Sequence, residues 1–228
     1  MKNLITVLLL ALVVGTTFAA SSGKRQSTTI TALSNDANGI FTDQTGTSIT
    51  LDGALVSSGV ATASAAQKVS LESTGDESSV NFTIVGTDAD GKANSEVLAG
   101  PNANTVDSVL YYKTVTSITP SASITTAVEG GFLSASGAVS ASLVPDLTLP
   151  PLMSIVVDSC TCTYIIEHTS MNTPSSVDQI WFSTVGLDSK TADAESNIVA
   201  PVGGVRARIS AYTSGSLELI ILQGRPAR

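Results

Sequence analysis

The chain has 228 residues, of which 43% are hydrophobic, 4% aromatic and 13% charged, and its formal net charge is −8. A single histidine and two cysteines leave few groups for metal ligation or for proton transfer near neutral pH, so metal-dependent and histidine-based catalysis are disfavoured. Acidic residues outnumber Lys68, Lys92 and Lys113 by eleven to three across residues 27–130, and a surface of that sign repels phosphate backbones, which argues against nucleic acid as a partner.

The chain opens with Met1-Lys2-Asn3 and an apolar run carrying Leu4, Ile5, Val7, Leu8, Leu9, Leu10, Leu12, Val13 and Val14. Small residues lead to Ala20, and a polar stretch follows from Ser21 to Arg25. A basic start, an apolar centre and small residues before a polar stretch are the parts of a secretory signal. The run falls short of the roughly 20 residues that span a bilayer comfortably. Its alternative is a retained helical segment buried in an assembly, because a lone apolar helix of this length is not ordered in water. A membrane is a partner only if this segment acts as a signal or an anchor.

The body reads as strands. Residues 28–33 form a short strand closed by the turn cluster Asn35-Asp36-Ala37-Asn38-Gly39, and residues 48–51 form another before Asp52-Gly53. Val69 and Leu71 alternate with Lys68, Ser70 and Glu72. Residues 80–85 place Val80, Phe82 and Ile84 on one face, and Asp88-Ala89-Asp90-Gly91 turns the chain into residues 93–98, which predicts a hairpin. Residues 109–118 set Tyr111 and Tyr112 on opposite faces, and residues 124–128 lead to Gly130-Gly131. The following stretch is small and featureless, punctuated by Pro145, Pro150 and Pro151, and reads as a connection.

Beyond it, strands are expected at residues 154–158, 161–167, 179–185 around Trp181, and 198–199. Val205, Ala207, Ile209 and Ala211 alternate with Arg206, Arg208, Ser210 and Tyr212, and Ser214-Gly215 is expected to reverse the chain into residues 217–223. No stretch after Ala20 has a 3.6-residue apolar period. The prediction is an all-β fold of two β-sandwich-like modules after an N-terminal hydrophobic helical segment. The segment and linker cover 1–26, the first module 27–131, the connection 132–150 and the second module 151–228.

Candidate sites are few. Cys160 and Cys162 share one face of a strand; two thiolates do not complete a structural zinc site, and a disulfide across two residues looks unfavourable, so free buried thiols are expected. His168 follows Glu167 with no Gly-x-Ser-x-Gly elbow anywhere in the chain, so no catalytic role is assigned. Asp88-Ala89-Asp90-Gly91 and Asp36-Ala37-Asn38-Gly39 resemble pieces of calcium loops but lack the remaining ligands and read as turns. Asn81-Phe82-Thr83 is a formal glycosylation sequon inside a strand. Arg206 and Arg208 lie on the outer face of a strand and could meet an acidic module of a neighbouring copy. No catalytic residue, cofactor or metal is expected.

Several stretches resemble tailed-bacteriophage virion structural proteins. They are Thr50-Leu51-Asp52-Gly53-Ala54-Leu55 with Gly59-Val60-Ala61-Thr62, then Lys68-Val69-Ser70-Leu71-Glu72-Ser73-Thr74-Gly75-Asp76 and Phe82-Thr83-Ile84-Val85-Gly86-Thr87-Asp88-Ala89-Asp90-Gly91. Ala99-Gly100-Pro101-Asn102-Ala103 leading to Tyr112-Lys113-Thr114-Val115-Thr116-Ser117-Ile118 completes the likeness, which covers about residues 49–131. The resemblance implies β-sandwich units of head-decoration, fibre or tail-associated type, located in the virion. It also implies homo-oligomers and contacts with capsid, portal or tail components. The alternative is a secreted or cell-surface bacterial adhesion-type β protein with a cleaved signal.

Overall fold

The computed structural model describes residues 24–31, 33–147, 151–170, 180–198 and 202–223. The expected N-terminal helix, with the apolar residues from Leu4 to Val14, lies outside the described residues. Within them every regular element is a strand, apart from one 3-10 turn at Ser134–Ser136. The β-branched, Ser- and Thr-rich composition is the physical cause: such side chains fit a pleated, half-buried surface and cost helices side-chain freedom.

The strands are β1 (Lys24–Ile30), β2 (Asp36–Gly46), β3 (Val56–Ser57), β4 (Val60–Ser73), β5 (Asn81–Thr87), β6 (Ala93–Ala99), β7 (Thr105–Pro120) and β8 (Ile124–Phe132), followed by β9 (Ala138–Val139), β10 (Leu152–Thr169), β11 (Phe182–Ser183), β12 (Ala194–Asn197) and β13 (Gly204–Gln223). All pairs are antiparallel and join in one sheet, with the main order β11-β10-β13-β9-β4-β7-β5-β6. The sheet serves two hydrophobic clusters. One gathers Phe41, Leu71, Phe82, Ile84, Tyr112, Val128 and Phe132 from β2, β4, β5, β7 and β8. The other gathers Ile30, Met153, Ile155, Tyr164, Ile166, Ile209, Leu219 and Ile221 from β1, β10 and β13.

The first expected hairpin is present in register, Asn81 opposite Ala99 and Thr87 opposite Ala93. Gly91 takes φ 75 in its turn, a value that suits glycine, and Val80, Phe82 and Ile84 are buried as their alternation requires. Tyr112 is fully buried while Tyr111 is half-buried, as opposite faces demand.

Several expectations differ, among them the strand expected at 179–185, which among the described residues is only Phe182–Ser183. The turn cluster at Asn35–Gly39 falls largely inside β2, whose pairing with β8 slips three times between Asp36 and Gly46. Residues 48–51 form no strand. There the Gln44 amide does a strand's work, donating to the Thr50 carbonyl at 2.7 Å and accepting from the Thr50 N–H at 2.8 Å. The same substitution recurs where Gln67 bonds the N–H and carbonyl of Ser34, and where Gln223 bonds those of Asp146. The stretch read as a plain connection contains β9, which pairs with β4 on one side and β13 on the other and is buried. That two-residue strand is the point at which the sheet passes from one cluster to the other.

The last difference is the largest. The expected terminal hairpin does not exist: β13 is one 20-residue strand, paired with the 18-residue β10 from Leu152 opposite Leu222 to Thr169 opposite Gly204. The two strands expected at 154–158 and 161–167 are likewise one. Ser214-Gly215 bends the ribbon instead of reversing it. Opposite this point the register of β10 slips between Asp158 and Thr161, and Ser159 adopts φ 54. Gly215 itself has φ 89, and a Cβ there would lie 2.2 Å from the Ser159 carbonyl oxygen. Gly215→Ala is therefore expected to cost about 3 kcal/mol by adding backbone strain to a steric overlap, measurable as a lower urea midpoint with unchanged slope.

Glu77 ties the loop before β5 to β8. It is 1% exposed and its carboxylate accepts from the Thr125 hydroxyl at 2.7 Å, the Thr125 N–H at 2.9 Å and the Thr126 N–H. The Thr125 hydroxyl, helped by those two N–H groups, outweighs burial and holds the carboxyl below the usual glutamate range. A carboxyl depressed in the folded state contributes stability that is complete above about pH 4.3, where an unfolded glutamate ionises, and is lost as pH falls through the folded value. Thermal unfolding temperatures should thus fall on acidification below about pH 4.3, and Glu77→Gln should flatten that fall. An unchanged acid profile in the variant would remove Glu77 as its cause.

Candidate functional site

Strand register brings charged groups together where the two clusters meet. Glu167 on β10 stands opposite Arg206 on β13 and one step diagonal to Arg208. Its carboxylate, 8% exposed, accepts from Arg206 Nε and pairs with Arg206 Nη2 at 2.8 Å each, and accepts from Arg208 Nε at 2.5 Å. The two arginines, read from sequence as outer-face cations, are 18% and 26% exposed and share an acid of their own chain. The Arg206 guanidinium also lies 4.1 Å from the centre of the Trp181 ring, a cation–π contact. Burial pushes the Tyr111 phenol up, with the Glu167 carboxylate adding to it and the arginines opposing it.

Beside this network is a cleft of about 150 Å³ lined by Asp88, Asp90, Asn94, Tyr111, Trp181 and Arg206, among others. Each wall is fixed by local chemistry. Asp88 accepts from the N–H groups of Asp90 at 2.9 Å and Lys92 at 2.8 Å, so its carboxylate shapes the β5–β6 turn. Asp90 receives the N–H of Ser142 at 2.7 Å and its hydroxyl at 2.8 Å. On β6, Asn94 donates to the Tyr111 carbonyl and Glu96 accepts from Val109 and Leu110, so two alternate side chains hold the edge of β7 where no strand does. The acidic pair in the turn was legible as a turn; the Asn94 and Glu96 bridges carry no sequence signature.

The other predicted positions are distributed elsewhere. Cys160 and Cys162 are not free thiols: they form a disulfide, with Cα atoms 5.3 Å apart. The register slips on both sides of Thr161 mark a bulge there, which shortens a separation that a straight strand would hold at about 6.6 Å, at the upper limit for disulfides, to a value well within their range. His168 has Nδ1 3.1 Å from the Thr184 hydroxyl and packs toward Phe182, and burial lowers its pKa. Asn81 starts β5, which is paired with β6 and β7. Asp36 lies in β2, where its carboxylate accepts the Asn38 N–H at 3.3 Å. Among the described residues no three His, Cys, Asp or Glu side chains converge as metal ligands.

No family model and no curated protein matches the chain. Among solved structures the chain is similar to the major capsid protein P2 from Bacteriophage PM2, with 11% identity over 90% of this chain and 99% of that one and a TM-score of 0.23.

Proposed function

We propose that this chain is a non-enzymatic structural component of a tailed-phage virion, assembled as a homo-oligomer and attached to capsid or tail as a decoration, fibre or connector-type part. The observation that carries the reading is where its polar side chains go. Glu77, Glu96, Gln44, Gln67, Gln223 and Asp52 all bind main-chain groups of their own chain, in a sheet that runs through both hydrophobic clusters. Side chains used this way rigidify a scaffold. The resemblance of residues 49–131 to virion β units supports the same reading, and the two separate clusters support two modules. Val97, Val109, Ile180, Phe182 and Val185, each more than half exposed, offer apolar area for neighbours.

A secreted surface protein of adhesion type is the second reading, and the Cys160–Cys162 disulfide favours it, because disulfides persist in oxidising compartments. One comparison separates the two. Full-length protein should incorporate into particles, and deletion of residues 1–20 should leave folded β structure that no longer does so. Burial of the leucine, isoleucine and valine side chains of that segment would contribute roughly 1.5–3 kcal/mol each before ordering costs, enough to hold a chain on a particle when repeated by symmetry. Normal incorporation of the truncated chain would reduce the segment to a targeting signal, and a full-length chain absent from particles would remove the virion reading.

A further inference from the structure

We infer that the cleft between the β5–β6 turn, β7 and β13 is a carbohydrate-binding site, taking one terminal pyranose ring of a glycan. This goes beyond the structural role proposed above and holds or fails separately from it. The size fits: about 150 Å³ is some ten times the roughly 10–15 Å³ that a single water needs, and the mouth opens to solvent at Val109, so the rest of a glycan could remain outside. The chemistry is mixed in the way a pyranose requires. Tyr111 and Trp181 line the cleft and supply aromatic surface for the C–H groups of a sugar, with Arg206 over one face of Trp181 and Lys68 Nζ 5.9 Å over Tyr111, while Asp88 and Asp90 supply acceptors for hydroxyl donors.

The donors and acceptors are also held in place before any ligand arrives, which lowers the ordering cost of binding. Asp88 is fixed by two turn N–H groups and Asp90 by Ser142. Arg206 is fixed between Glu167 and the Trp181 ring, and Glu167 engages two of its five N–H donors. With two carboxylates and one guanidinium on the wall, the cleft has neither the excess positive charge that a phosphate would select nor a set of ligands for a metal. Neutral hydroxylated ligands are the class that matches.

Trp181 is the only tryptophan in the chain, so tryptophan emission, excited at the red edge where the four tyrosines do not absorb, reports on this cleft. The full chain should be titrated with D-galactose, D-glucose, D-mannose and N-acetyl-D-glucosamine, following Trp181 emission and saturation-transfer NMR of the sugar protons. The expected result is a saturable change with at least one sugar, weakened tenfold or more by Val109→Phe, which narrows the mouth from a position 77% exposed and so leaves the fold intact. Asp88→Asn, which keeps an oxygen acceptor for the turn, should weaken the same titration. No saturable response to any of the four sugars, or a response unchanged in Val109→Phe, would overturn the assignment.

Discussion

Phe82→Ala should lower the stability of the chain by about 3–5 kcal/mol, the cost of removing a buried aromatic ring from a core that relaxes only in part. Phe82 is 0% exposed on the central strand β5, which is paired with β6 on one side and β7 on the other, so its neighbours cannot collapse into the space freely. Its ring packs in the cluster with Val80, Ile84, Val115 and Ile118. Thr83, the next residue, is half-buried and points to the other face, so Thr83→Ala should cost less than about 1 kcal/mol. Urea unfolding of both variants measures the difference. Comparable losses would mean that the two faces of β5 are assigned the wrong way round.

Glu167→Ala should be nearly as damaging, at about 3 kcal/mol, by a different mechanism. The substitution removes the acid that neutralises Arg206 and Arg208, leaving two partly buried guanidinium groups facing each other. Breaking a buried pair costs about 3–5 kcal/mol, and the lower end applies because the arginines keep 18% and 26% exposure. Glu167→Gln retains acceptor and shape and should cost less. Because Arg206 lies against Trp181, the alanine variant should also shift Trp181 emission in the folded state. A loss below about 1 kcal/mol with unchanged emission would show that solvent screens the network.

Local alternation was enough to read the all-β class, the burial of Phe82 and Ile84, and the β5–β6 hairpin, because each depends on residues close in sequence. What escaped reading depends on partners far away. Ser214-Gly215 has the chemistry of a reversal, yet β10 lies alongside both arms and turns it into a bend, a decision that resides in residues 152–169. The disulfide escaped for the same reason: the bulge that draws Cys160 and Cys162 together lies in the pairing of β10 with β13, and nothing in C-x-C announces it. Gln44, Gln67 and Gln223 look like surface residues in sequence, and only the fold shows each amide completing a ladder. The charge network at the cleft was half visible. The alternation of Arg206 and Arg208 was plain, but their partner Glu167 is set by register.

The structural role is tested most directly by counting the chain in purified particles. Particles from cultures that produce it should be banded on a density gradient, and the chain quantified against the main shell protein by peptide mass spectrometry. The account predicts that the chain co-bands with particles in a fixed ratio to that protein, unchanged by a salt wash that strips surface contaminants. Recovery of the chain only in particle-free medium, or at a ratio that falls with each wash, would contradict it.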